Sequence, residues 1–191
     1  MQAIHQTQTS HVRDAFISRN RRRVLAIAGS VLLSLTAVGC GGDGLLSPDL
    51  GSGSLTATGA VSTSGSGLAI FQSVSSGGTS LFQILVTPVS QTATTWSLQI
   101  ANYSGRLAVG TYDLLPPTGT PTAPTANFYY TSGGNIQVFS ATSGQLVITG
   151  SSSSTVSGTF TFTATDPTGG TGTVTVQGTF AAQCSPGTTC Q

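Results

Sequence analysis

The chain has 191 residues but only six arginines and five acidic side chains, for a net charge of +1. Five of the arginines crowd into positions 13–23; beyond residue 39 the formal charges are Arg106 against Asp43, Asp49, Asp113 and Asp166, with no Lys, His, Glu or Met. A nucleic-acid footprint needs clustered cations and nucleophilic catalysis by Ser or Thr needs a neighbouring base, so neither class fits the chain after residue 39.

Residues 1–20 are polar and lead into Arg21, Arg22 and Arg23, followed by 15 mostly apolar residues, Val24–Val38, and then Gly39-Cys40. The apolar run is too short for a bilayer, which takes about 20 residues. This stretch resembles a bacterial lipoprotein signal peptide: a basic n-region, a short apolar region and a lipobox ending at Cys40, with Ala37 where Leu is usual. The resemblance implies removal of residues 1–39, acylation of Cys40 by a palmitate-type lipid, and anchorage in the cell envelope. Gly41, and not Asp, follows the cysteine, which by the same resemblance favours the outer membrane. Arg21-Arg22 with Val24-Leu25 also resembles the twin-arginine export motif, although Asn20 stands where Ser or Thr is usual; an ordinary basic n-region is the preferred reading.

Removing residues 1–39 from 191 leaves 152, the size of one domain. The expected organisation is a signal peptide over 1–39, the lipidated cysteine and a Gly/Ser/Pro linker over 40–53, and an all-β domain over 54–191. Gly41–Ser54 has the composition of a flexible coil with a reach of about 20 Å.

From Ser54 the apolar period is two, the signature of strands. Leu55, Ala57, Gly59 and Val61 share one face, and TSGSG at 63–67 predicts a turn. Leu68, Ile70 and Val74 alternate with Ala69, Phe71 and Ser73, and SSGGTS at 75–80 turns the chain again. LFQILVT at 81–87 is nearly all apolar, which predicts a strand covered on both faces and ended by Pro88. Trp96, Leu98 and Ile100 share one face of the next strand, and RLAVGTYDLL follows at 106–115. PPTGTPTAPT at 116–125, with four prolines, predicts an exposed stiff connection. Further strands are expected at 127–131, 135–139 and 145–149, and then in a final hairpin. There Val156, Gly158, Phe160, Phe162 and Ala164 share one face, as do Val174, Val176, Gly178 and Phe180, with DPTGGT as the reversal. About nine short strands without a helical stripe predict an antiparallel β-sandwich, with a closed up-and-down barrel as the alternative.

The order VGTYDL, FYYTSGG, GQLVITG, TVSGTFTFTAT, TVTVQGTF resembles small bacterial envelope lipoproteins carrying an all-β domain of unknown function. The likeness covers roughly the last 80 residues, and it implies no activity.

With Cys40 assigned to the lipid, Cys184 and Cys190 form an even pair around the turn residues Pro186 and Gly187. They are expected to be disulfide-bonded, closing a terminal loop whose loss costs little. No metal or other cofactor is expected. Asp113 and Asp166 could supply paired-carboxylate chemistry, but local turn capping is the simpler role for them, above all for Asp166 in DPTGG. Tyr103, Tyr112, Tyr129 and Tyr130 are the candidates for contact with a ligand or partner, because tyrosine on a sheet face can stack on sugars or anchor a protein; Trp96 shares parity with core residues. The expected protein is therefore a non-enzymatic, lipid-anchored structural or binding module that touches the membrane through Cys40. A barrel carrying a small apolar ligand and a surface adhesin or glycan binder are the alternatives.

Overall fold

The computed structural model describes residues 50–190 apart from 77, 91–93, 117–121, 171 and 189. The expected signal peptide, Cys40 and residues 41–49 of the linker lie outside them. The strands are β1 (Gly51–Gly59), β2 (Thr63–Ser76), β3 (Thr79–Pro88), β4 (Thr94–Asn102), β5 (Gly110–Asp113), β6 (Thr125–Ser132), β7 (Asn135–Ser151), β8 (Thr155–Thr165) and β9 (Thr173–Cys184). β1 begins at Gly51, within the expected linker.

Antiparallel pairing runs β1, β2, β3, β4, β6, β7, β8, β9 and back to β1. The ring closes, so the chain forms an eight-stranded barrel, the alternative architecture, and not a two-sheet sandwich. β7 is the physical reason. It is 17 residues long and its register with β8 shifts between Ala141 and Ser143 and between Ile148 and Gly150. Such bulges bend a strand and raise its twist. β7 can thus pair with β6 near its start and with β8 over the rest, joining two edges that a sandwich would leave open. The short β5 extends the β6 side of β7, placing Gly110–Asp113 opposite Gln145–Ile148. Before the start of β1, β2 and β9 meet directly in a brief parallel contact at Ile70 and Phe71.

Period-two parity decides what fills the barrel. All five inward positions of β8 from Val156 to Ala164 are buried, as are Val174, Val176 and Phe180 of β9. Seven phenylalanines, at 71, 82, 128, 139, 160, 162 and 180, belong to the buried core together with Trp96, Leu98 and Ile100. Burying each such side chain contributes about 1.5–3 kcal/mol. Two Gly-Thr-Phe triplets pair head to tail at its centre: Gly158 faces Phe180, Phe160 faces Gly178, and Thr159 faces Thr179 on the outside. A Cβ at Gly178 would come within 2.6 Å of the Phe160 ring, and one at Gly158 within 3.0 Å of the Phe180 ring. Each glycine therefore makes room for the phenylalanine opposite, and the two rings stack with centroids 6.4 Å apart.

Three local expectations are corrected. TSGSG at 63–67 is not a turn; Thr63–Gly67 pair with Gly53–Ala57 as the first part of β2, and the chain reverses at residues 60–62, just after Gly59 with its φ of 116°. Gly65 is there because the Trp96 indole packs on it: an added Cβ would stand 3.3 Å from Nε1. The 81–87 segment is covered fully on one face and partly on the other: Phe82, Ile84 and Val86 are buried inside, and on the outside Gln83 is buried between the half-buried Leu81 and Leu85. The strands expected at 135–139 and 145–149 are one continuous β7, because Thr142 is taken up as a bulge between Ala141 and Ser143 and the pairing with β8 continues on both sides of it.

Elsewhere turn chemistry acts as expected. Gly133 and Gly134, with φ of 58° and 82°, join β6 to β7 as the central pair of a tight hairpin.

Candidate functional site: the outward face of the barrel

The outward positions of β1, β9, β8 and β7 form cross-strand rows. One row runs Ser54, Thr179, Thr159, Val147, and the next runs Thr56, Gln177, Thr161, Gln145. Together they line an open groove of about 430 Å³, with Leu55, Phe160 and Gly178 at its floor. Short Ser and Thr side chains beside longer amides, on a strand bent by bulges, give the surface its concavity. The Ser54 and Thr179 hydroxyls hydrogen-bond at 3.1 Å. No charged side chain lines the groove.

The opposite side of the barrel also bonds across strands but carries longer amide, phenol and apolar side chains, with Leu68, Ile70, Leu81 and Leu85 half-buried at its outward positions. Its outward side chains bond to one another across strands: Gln72 Nε2 donates to Gln83 Oε1 at 3.2 Å, the Tyr129 hydroxyl to Gln99 Oε1 at 3.0 Å and the Ser140 hydroxyl to Asn127 Oδ1 at 2.8 Å. Burial and then the neighbouring Tyr103 phenol push the Tyr129 hydroxyl above its ordinary pKa.

The four tyrosines do not share one patch. Tyr103 is 43% exposed in the turn after β4, and Tyr129 is half-buried on the outside of β6. Tyr112 and Tyr130 are half-buried against the core, and the Tyr112 hydroxyl donates to the Ala108 carbonyl at 2.9 Å. Trp96 is buried among core residues. The groove was hidden from a residue-by-residue reading, because its lining comes from four strands and consists of Ser, Thr and Gln that singly look like solvated positions. The outward Thr of each Gly-Thr-Phe triplet was its one legible trace.

The two aspartates are separate. Asp113 pairs with Gln145, whereas Asp166 follows Thr165, which pairs with Ser140. Asp166 Oδ1 accepts from the Thr168 amide at 2.7 Å and the Thr168 hydroxyl at 2.6 Å, and these bonds hold its carboxyl below its ordinary pKa. It caps its turn. A smaller hollow of about 220 Å³ beside it, lined by Gln137, Phe139 and Ala60 among others, offers only this committed carboxylate.

One end of the barrel is closed by Arg106. Its guanidinium donates to the Ser151 hydroxyl and to the carbonyls of Cys190, Ser152 and Thr155, and it lies 4.9 Å above the Phe71 ring. Burial lowers its pKa from the ordinary arginine value, yet arginine keeps its charge in any accessible range. The fork thus ties the loop after β4 to the β7–β8 turn and the C-terminal segment. Cys184 and Cys190 are disulfide-bonded with Cα atoms 5.9 Å apart. Cys190 is only 6% exposed and belongs to the core cluster. The disulfide loop is therefore part of the barrel's closure and not the peripheral appendage expected from its terminal position.

What fold and site define is a closed antiparallel barrel filled by its own side chains, with a neutral hydroxyl- and amide-lined groove outside. Comparison with family models, curated proteins and solved structures finds no match for this chain.

Proposed function

We propose that the chain is a non-enzymatic binding module of the cell envelope, anchored by a lipid on Cys40, in which the barrel is a rigid scaffold and its outer face the contact surface. The observation that carries this reading is the division of labour across the barrel wall: phenylalanine rings fill the lumen, while neutral hydrogen-bonding groups face outward around the groove. A carrier would need a chamber where those rings stand. A membrane-spanning barrel carries its apolar band outside, the reverse of what β1, β8 and β9 present, so attachment would rest on the lipid. The non-enzymatic part is supported by the absence of Lys, His and Glu after residue 39 and by the capping role of Asp166.

The test uses the full chain in cells. Wild type is expected to incorporate labelled fatty acid and fractionate with membranes, and Cys40→Ser to do neither; unchanged labelling of the variant refutes the anchor. Saturable uptake of an apolar fluorophore by the purified protein, lost on enlarging a lumen residue such as Ala164→Phe, would replace the binding-surface reading with that of a carrier.

A further inference from the structure

We propose that the groove across β7, β8, β9 and β1 binds a neutral polysaccharide chain. This rests on reading the domain as a binding module and names the ligand class and the face. Charge makes the first selection. Phosphorylated or acidic ligands need cations, and the one arginine of the described barrel is engaged at its end with carbonyls and Phe71. The groove lining is uncharged, and the one formal charge at its edge, the exposed Asp113 opposite Gln145, repels anions, which suits an uncharged partner. Polarity makes the second selection. An apolar ligand would strip water from Ser54, Thr56, Thr159, Thr161 and the two glutamines without returning hydrogen bonds, which is costly. Sugar hydroxyls return them, since a Ser or Thr hydroxyl and a Gln amide each both donate and accept. The threonine methyls and Val147 lie in the same rows as the hydroxyls, so the surface alternates polar and apolar spots as a pyranose does.

Repetition makes the third selection. Hydroxyl or amide side chains, interrupted only by Val147, recur about 4.8 Å apart from strand to strand, and about 6.7 Å separates the two rows along a strand. The groove crosses four strands, roughly 14 Å from first to last, longer than a single sugar ring. A repeating chain engages such a lattice at several points, each weak. Binding should therefore strengthen with oligomer length and depend little on salt, in contrast to an ionic interface.

The closing experiment is affinity electrophoresis of the full chain in detergent through gels containing dextran, a linear β-1,4-glucan, mannan or galactan, with anionic alginate as the charged probe. The expected result is retardation by at least one neutral polymer, unaffected by 0.5 M salt. Thr161→Val combined with Gln177→Ala should weaken it at least tenfold, with a melting curve like that of wild type. Tyr129→Ala, on the opposite face, should leave it unchanged. Retardation abolished by Tyr129→Ala but not by the groove pair overturns the groove while leaving a binding module. Failure of every neutral polymer, or retardation only by alginate, overturns the ligand class. Saturable binding of an envelope protein that the groove pair abolishes, without polysaccharide binding, replaces the polysaccharide by a protein partner. Dye uptake into the lumen is the separate result that refutes the binding-module reading itself.

Discussion

Phe162→Ala tests the inward parity of the final hairpin most directly. Phe162 is 2% exposed, its ring centroid lies 6.2 Å from that of Phe160, and Phe160 in turn stacks on Phe180. Truncation therefore opens a void at one end of a row of three rings, in a lumen closed on all sides by hydrogen-bonded strands that resist collapse. Phe→Ala substitutions in cores cost about 3–5 kcal/mol, and poor relaxation places this one near the upper half, at about 4 kcal/mol. Against the roughly 5–15 kcal/mol that holds a domain together, that is a large loss. With a urea dependence of about 2 kcal/mol per molar, the midpoint should fall by about 2 M. Thr161 is exposed on the outer wall, and Thr161→Ala should move the midpoint by less than about 0.3 M, from a surface effect within about 0.5 kcal/mol. The fluorescence of Trp96, the one tryptophan of the chain, reports both melts because it sits in the same core. If Phe162→Ala leaves too little folded protein to melt, Phe162→Leu supplies a milder step with the same sign. Equal damage from the two alanine variants, or a shift under about 0.5 M for Phe162→Ala, would refute the packed-lumen account.

Gly178→Ala should destabilise strongly although it adds a single methyl, because the new Cβ would meet the Ser54 carbonyl and the Phe160 ring; a thermal melt within 2 °C of wild type, on a scale where about 1 kcal/mol shifts a domain of this size by roughly 2–4 °C, would show that the strands can move apart. Arg106→Lys should lower stability by about 2 kcal/mol in urea melts, because an ammonium cannot span three carbonyls as a guanidinium fork does, and an unchanged midpoint would remove Arg106 from the barrel's closure. Thiol alkylation of the denatured, unreduced protein should leave Cys184 and Cys190 unmodified, and Cys190→Ala should cost at least about 2 kcal/mol, the loop-closure contribution alone. The Asp166 carboxyl is held below its ordinary pKa, so its contribution is present above the unfolded value of about 4 and is lost as pH falls through the lower folded value. Asp166→Asn should therefore flatten the acid side of the melting-temperature profile below about pH 4, and an identical profile would show that the Thr168 bonds do not persist in solution.

Much of the fold was written locally. Alternation of apolar residues at 156–164 and 174–180 determined which side chains face inward, because the pleat reverses the side chain at every step whatever the sheet becomes. The Asp166 turn, the Gly133-Gly134 reversal and the 184–190 pair are likewise short-range chemistry, complete within a few residues. Closure was not local. Whether β8, paired with β9, also finds β7 depends on twist accumulated over eight strands and on two bulges in β7, at Thr142 and Thr149, the first beside Ser143 and Gly144, which equally suit a turn. The role of glycine was ambiguous for the same reason: Gly65 and Gly67 look like turn residues until the Trp96 indole and the Thr87 carbonyl stand against them across the sheet. The groove belongs wholly to the tertiary level. Its serines, threonines and glutamines lie as far apart in sequence as 54 and 179, each is an ordinary outward residue of its own strand, and only the ring of hydrogen bonds that joins β1 to β9 and β8 to β7 sets them side by side.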